Sequence, residues 1–123
     1  MDVVAIVLQG LLGLVFVMAG FSKISGTKMQ VDSFNHYGYP QWFRVVTGLV
    51  QWVGVAALVI GFWEPSWAAV GALWLGVTML GGVLTHVRIR DTFKQTLAAI
   101  VFLLLLVILF IIELPELSDF PGF

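Results

Sequence analysis

Apolar residues fall into four long runs separated by short polar gaps. The first is Val3 to Phe21, broken only by Gln9, and it continues to Ser25, where Gly26 is a helix stop. The second starts after Pro40, read as a first-turn residue, and spans about Trp42 to Phe62. A tight turn, Trp63-Glu64-Pro65-Ser66, leads to the third, Trp67 to about His86; the fourth opens near Thr92 and closes at Glu113, where Pro115 bars continuation. Each run approaches ~20 residues, which at ~1.5 Å per residue crosses a bilayer core of ~30 Å. Period-two alternation is absent, and lipid offers free backbone groups no partner, so all four are predicted to be helices. The fold class is an all-α membrane protein: a four-transmembrane-helix bundle forming a single domain, residues 1–123.

Between the first two runs, Thr27 to Tyr37 mixes Met29, Val31, Phe34 and Tyr37 with Lys28, Asp32, Asn35 and His36. This stretch is expected to be a short interfacial segment, of a composition that could form a helix although its apolar spacing is not a clean amphipathic stripe, and Gly38-Tyr39-Pro40 then breaks the chain. Glycines at helical spacing are expected to draw the spans together: Gly10, Gly13 and Gly20 in the first, Gly54 and Gly61 in the second, and Gly71, Gly76, Gly81 and Gly82 in the third. The fourth has none and is bulky from Ile100 to Ile112, so it is expected to be the helix most exposed to lipid.

Composition supports a bilayer as solvent. Hydrophobic residues make up 60% and charged residues 11%, against about 25% charged in soluble domains, and mean hydropathy is +1.04. No acidic or basic tail points to nucleic acid. The distribution of charge says more than its total. Lys23, Lys28 and Arg44 flank the first gap, and Arg88, Arg90 and Lys94 the third; the termini and the gap at Glu64 carry no basic residue. Basic residues beside short loops stay cytoplasmic. That places both termini outside and both basic loops inside. Asp2, Glu64, Glu113, Glu116 and Asp119 then fall on the outer side, and Trp63, Trp67 and Trp42 suit aromatic belts at the two rims. The start of the chain has no basic leader or small-residue cleavage site, so the first run reads as a retained span.

Candidate chemistry is sparse. With no cysteine there is no thiolate nucleophile or disulfide relay, and with only His36 and His86 no metal site is expected from this chain alone. What stands out is polarity inside the spans. Thr47, Gln51, Gly54, Leu58 and Gly61 share a face of the second run, and Thr78, Gly82 and Thr85 share one in the third, beside His86. Lys23 closes the first run; Thr92, Gln95 and Thr96 open the fourth. Gln51 lies ~14 Å inward from Trp42. Converging faces would give the cytoplasmic half a polar pocket, with Lys23, Thr47, Gln51, Thr78, Thr85 and His86 as candidate ligand-binding residues.

Plainer roles compete. Gln9 and Gln51 can join helices by hydrogen bonds contributing ~1 kcal/mol each. The threonines can return their hydroxyls to the preceding turn, and Lys23 can snorkel to the headgroups. Arg88, Arg90 and Lys94 serve as topology determinants and contacts to anionic lipid. His86 is either a proton-handling group or an interfacial residue. Asp91 is expected to form solvated ion pairs with Arg88 and Arg90.

Gly13-Leu-Val-Phe-Val-Met-Ala-Gly20-Phe-Ser-Lys23-Ile24, then Phe34, Gly38-Tyr-Pro40 and Thr47-Gly48-Leu49-Val50-Gln51-Trp52-Val53-Gly54 to Gly61, resembles the DoxX family of small bacterial four-helix membrane proteins. The likeness covers roughly Gly10 to Gly61; beyond it only hydropathy and a polar end to the third run agree. The resemblance implies a multi-pass protein of the bacterial plasma membrane. The family takes its name from a subunit of a thiosulfate:quinone oxidoreductase, and distantly similar animal proteins assist assembly of ligand-gated channels. Many DoxX-like sequences carry Glu where this chain has Gln51, and the loss of that carboxylate counts against proton-coupled or cation-binding roles.

Three functions compete. The first is a non-enzymatic membrane protein that binds a lipophilic small molecule, a quinone or lipid, or a partner protein. The second is a membrane-anchor, quinone-facing subunit of an oxidoreductase complex, with Lys23 and His86 orienting a quinone carbonyl and a redox partner supplying the electrons. The third, a transporter or channel, is disfavoured by the small lumen of four helices and the lack of a buried acid or basic ladder. The first leads: no catalysis by this chain and no intrinsic cofactor, with a bound quinone or lipid as the expected occupant. Oligomeric state stays open, a homodimer included.

Overall fold

The computed structural model of the chain describes residues 3–122, so Asp2, one of the acids assigned to the outer side, lies outside the described residues. Five helices follow one another: α1 (Val3–Ser25), α2 (Lys28–Tyr37), α3 (Gln41–Ile60), α4 (Pro65–Arg88) and α5 (Phe93–Glu113), with a 3₁₀ turn, Leu114–Asp119, after α5. Among the described residues there is no strand. Helices α1, α3, α4 and α5 are long and apolar enough to cross a membrane.

The boundaries follow local chemistry. Gly26 leaves α1 at φ 74° and Gly38 leaves α2 at φ 81°, a left-handed backbone that glycine adopts without a Cβ penalty. At the second stop Tyr39 N–H returns to Phe34 O at 3.1 Å, closing the helix end. Pro40 is extended and precedes α3 as its N-cap, one position outside the first turn where the sequence had placed it. Pro65 is the first residue of α4, so that helix absorbs part of the expected turn, because proline's fixed φ and missing N–H suit the first position. Thr92 caps α5, its hydroxyl accepting from Gln95 N–H at 3.3 Å.

Short connections make the spans antiparallel. Helix α3 packs between α1 and α4, and α4 packs on α5. The dry core sits at the end of the bundle bearing the termini, built from Ala5, Leu8, Leu12 and Phe16 of α1, Val55 and Leu58 of α3, Ala72 and Leu75 of α4, and Leu106 and Leu109 of α5. Lipid is as apolar as leucine, so this end is held by close packing rather than by exclusion of water. Three glycines make that approach. A Cβ on Gly54 would lie 2.5 Å from Leu75 Cγ, one on Gly61 2.7 Å from Ala68 Cβ, and one on Gly71 3.0 Å from Gly54 O. At the other end Gly20 of α1 faces Gly48 O and the Trp52 ring. The remaining glycines expected to pack do not: Gly10, Gly13, Gly76, Gly81 and Gly82 have nothing within 4 Å of a built Cβ. The apolar window of α5 is the least buried of the four, at 22% against 28–39%, as its bulky sequence implies. Gln9 reaches across to Leu58 O at 3.4 Å and so joins α1 to α3.

Candidate ligand cavity at the loop end

At the end carrying the basic loops the bundle is hollow. A cavity of about 630 Å³ lies there, and Lys23, Thr47, Gln51, Thr78, Thr85 and His86 all line it. Geometry explains the convergence. Thr47 and Gln51 sit one turn apart on α3, Thr78 and Thr85 two turns apart on α4, and the third face is supplied by the last turn of α1. Val46, Val50, Val77 and Met79 fill the wall between the polar groups, and Gln95 and Ala99 of α5 complete it. Gly81 and Gly82, expected to bring helices together, instead line open space.

Helix α2 roofs the cavity through Met29, Gln30, Ser33, Phe34 and Tyr37. Phe34 is 4% exposed and stands in a cluster of rings with Tyr37, Tyr39 and Phe43, at centroid distances of 5.3 to 6.4 Å. Polar ties hold the roof down. Gln41 Nε2 donates to Val31 O (3.1 Å) and to Asn35 Oδ1 (2.9 Å), joining α3 to α2. Arg88 of α4 donates to Tyr37 O at 2.6 Å and lies over the Tyr39 ring at 5.3 Å. Arg44 Nε donates to Gln41 Oε1 at 2.8 Å, and the same guanidinium donates to Lys23 O at the end of α1. Two cations that the charge pattern reads as topology markers therefore also build the roof.

Asp91 does not pair with the arginines. Its carboxylate meets His86 Nδ1 at 2.7 Å and His36 Nε2 at 3.7 Å, linking the α4–α5 loop to α2. The Thr92 backbone N–H, and after it the His86 side chain, hold the Asp91 carboxyl below the usual carboxylate range. With Nδ1 donating to Asp91, the neutral His86 ring carries its free lone pair on Nε2. Burial pushes the Tyr37 phenol up.

The lining groups differ in what they have left to offer. Thr47, Thr78 and Thr85 each donate their one hydroxyl proton to the carbonyl a turn earlier, at 2.8 to 2.9 Å. Tyr39 must then be the donor in its 2.9 Å bond to Thr85. So the threonines present only lone pairs to the cavity. Gln51 is 4% exposed and its Oε1 has no hydrogen-bond partner. Lys23 brings a side chain with three donors. No carboxylate lines the cavity, and among the described residues no three His, Asp or Glu side chains gather to hold a metal.

A DoxX-like family model matches residues 7–109. The chain belongs to the DoxX-like family. The match extends well past the stretch on which the sequence alone carries the likeness, to take in α4 and most of α5. The uncharacterized protein YdgD of Bacillus subtilis (strain 168) is 36% identical over 93 residues, 73% of this chain and 81% of the relative. No solved structure matches. Four apolar helices and membership of the family make it a multi-pass membrane protein.

The aromatic roof was not singled out as part of the site. Its signal lies in the density of rings between Phe34 and Phe43, split by Gly38, where a plain connection would be polar.

Proposed function

We propose that this DoxX-like protein binds a lipophilic small molecule, a quinone or a lipid, in the cavity beneath α2, and that it does so without catalysis of its own. The observation that carries this reading is the cavity's make-up. A volume of about 630 Å³ falls within the ~300–1,000 Å³ of small-molecule sites, and its apolar wall holds a few convergent polar groups. Gln51 Oε1 is a buried acceptor without a partner, an arrangement that costs ~1–3 kcal/mol unless something fills it. Lys23 supplies the complementary donor. The convergent groups are hydrogen-bond donors and acceptors set in an apolar wall, and among the described residues no metal cluster forms, which supports recognition as the role of the site.

In this reading the cavity lies in the cytoplasmic half of a bacterial plasma membrane with both termini outside, and the two basic loops support that orientation. The experiment is purification in lipid nanodiscs, with mass spectrometry of the small molecules that co-elute. A quinone or a lipid enriched over bulk membrane, and lost when Gln51→Leu and Lys23→Met are combined, is the expected result. Bulk-membrane composition in both preparations would overturn the reading. Co-elution of a stoichiometric redox enzyme would move the protein to the alternative, a quinone-facing subunit of an oxidoreductase complex.

A further inference from the structure

Three cations stand around the cavity, and two are committed to architecture. Arg44 holds the Lys23 and Gln41 oxygens, and Arg88 holds Tyr37 O and covers the Tyr39 ring. Lys23 is different. Its ammonium has no hydrogen-bond or ion-pair partner among the described residues, and its base is fixed against α3, where a Cβ on Gly48 would lie 3.1 Å from Lys23 Cβ. That contact sets it beside Thr47 and Gln51 at the cavity wall. A cation within a membrane span ordinarily meets an acid or a carbonyl, because hydrocarbon solvates it poorly. Here no lining residue is Asp or Glu, and Asp91 of the α4–α5 loop is engaged by His86, His36 and the Thr92 N–H.

Size narrows the occupant further. At ~30 Å³ for a water-sized group, the cavity holds ~20 such groups. That is room for about one acyl chain with its head. We infer that the cavity takes a single-chain amphiphile with an anionic head, a carboxylate or a phosphate, seated on Lys23 with its chain against the apolar wall formed by Val50, Val77 and Met79. The inference rests on the lipophilic-binding reading and commits it to the charge of the head.

The test is saturable binding to the full chain in nanodiscs of zwitterionic lipid, using radiolabelled palmitate, hexadecyl phosphate, hexadecanol and a menaquinone analogue. Both anions are expected to bind at least ~10-fold more tightly than hexadecanol, which shares the chain but lacks the charge. Lys23→Met should bring the anions to the level of hexadecanol without lowering the melting temperature, and Lys23→Arg should restore the preference. The tighter of the two anions identifies the head. Hexadecanol or the quinone analogue binding as well as the anions would overturn the anionic head and leave lipophilic binding standing; so would an anion preference that survives Lys23→Met. Saturable binding of none of the four would overturn both. If Lys23→Met fails to fold, the comparison of ligands on the unaltered protein decides.

Discussion

A glycine in this bundle matters only through what stands opposite it. Gly20 and Gly13 lie on the same helix, seven residues apart. A Cβ on Gly20 would sit 2.5 Å from the Trp52 ring and 3.0 Å from Gly48 O, whereas Gly13 meets nothing within 4 Å. Gly20→Leu should therefore lower the melting temperature sharply, an overpacking cost of ~1–3 kcal/mol or more, while Gly13→Leu should change it little. Equal shifts in detergent would mean α1 and α3 are not in this register. Spacing in the sequence shows which glycines share a face but not which face a neighbour covers, and so Gly10 and Gly13 were expected to pack. The polar positions were more legible. Lys23, Gln51 and the threonines are conspicuous because polarity is rare in such spans, and the helical period then places them on converging faces. Gln51→Leu follows from the same logic. It removes a buried acceptor without a partner, so stability should hold or rise by ~1 kcal/mol while ligand retention falls. A marked loss of stability would show that Gln51 joins helices instead.

Helix α2 was the element least readable in advance. Its apolar residues do not form a clean stripe, because the helix faces neither bulk lipid nor a dry core but the rim of a partly polar cavity. Only the glycines that flank it, Gly26 ending α1 and Gly38 ending α2, were plain. Since α2 is tied down by Phe34 and a few polar bonds, it should loosen separately from the spans. Phe34→Ala, which removes a side chain only 4% exposed, should cost α2 ~3 kcal/mol. Hydrogen exchange across Lys28–Tyr37 is expected to quicken while the four spans stay protected; exchange that quickens throughout would make α2 part of one cooperative unit. Asp91 adds a pH dependence to the same element. Its carboxyl is held below the ordinary value, so its stabilising effect is complete above ~pH 4 and is lost as pH falls through the lower, folded-state value. Protection of α2 should accordingly fall in acid, and Asp91→Asn should show no such dependence.

At the scale of the whole molecule the bundle is asymmetric along its axis: packed tightly where the termini lie and hollow where the basic loops lie. Charge and architecture coincide there for a reason. Arg44 and Arg88 stay with the loops as topology demands, and from that position they donate to the backbone carbonyls that close α1 and α2. Orientation is therefore coupled to the site. If the proposed orientation with the basic loops inside holds, the cavity lies in the cytoplasmic half, and a ligand would reach it from the cell's own lipid and metabolite pool. Reporter fusions test this directly. A periplasm-active reporter joined after Phe123 should be active, and a cytoplasm-active reporter inserted between Arg90 and Lys94 should be active as well. Replacing Arg90 and Lys94, the two loop cations with no part in the roof, by Gln should weaken the orientation without opening α2. Arg88→Gln should do both, since it also releases Tyr37 O and the Tyr39 ring. A tail reporter active in the cytoplasm would turn the bundle over and place the cavity in the outer leaflet, where ligands arrive from outside the cell.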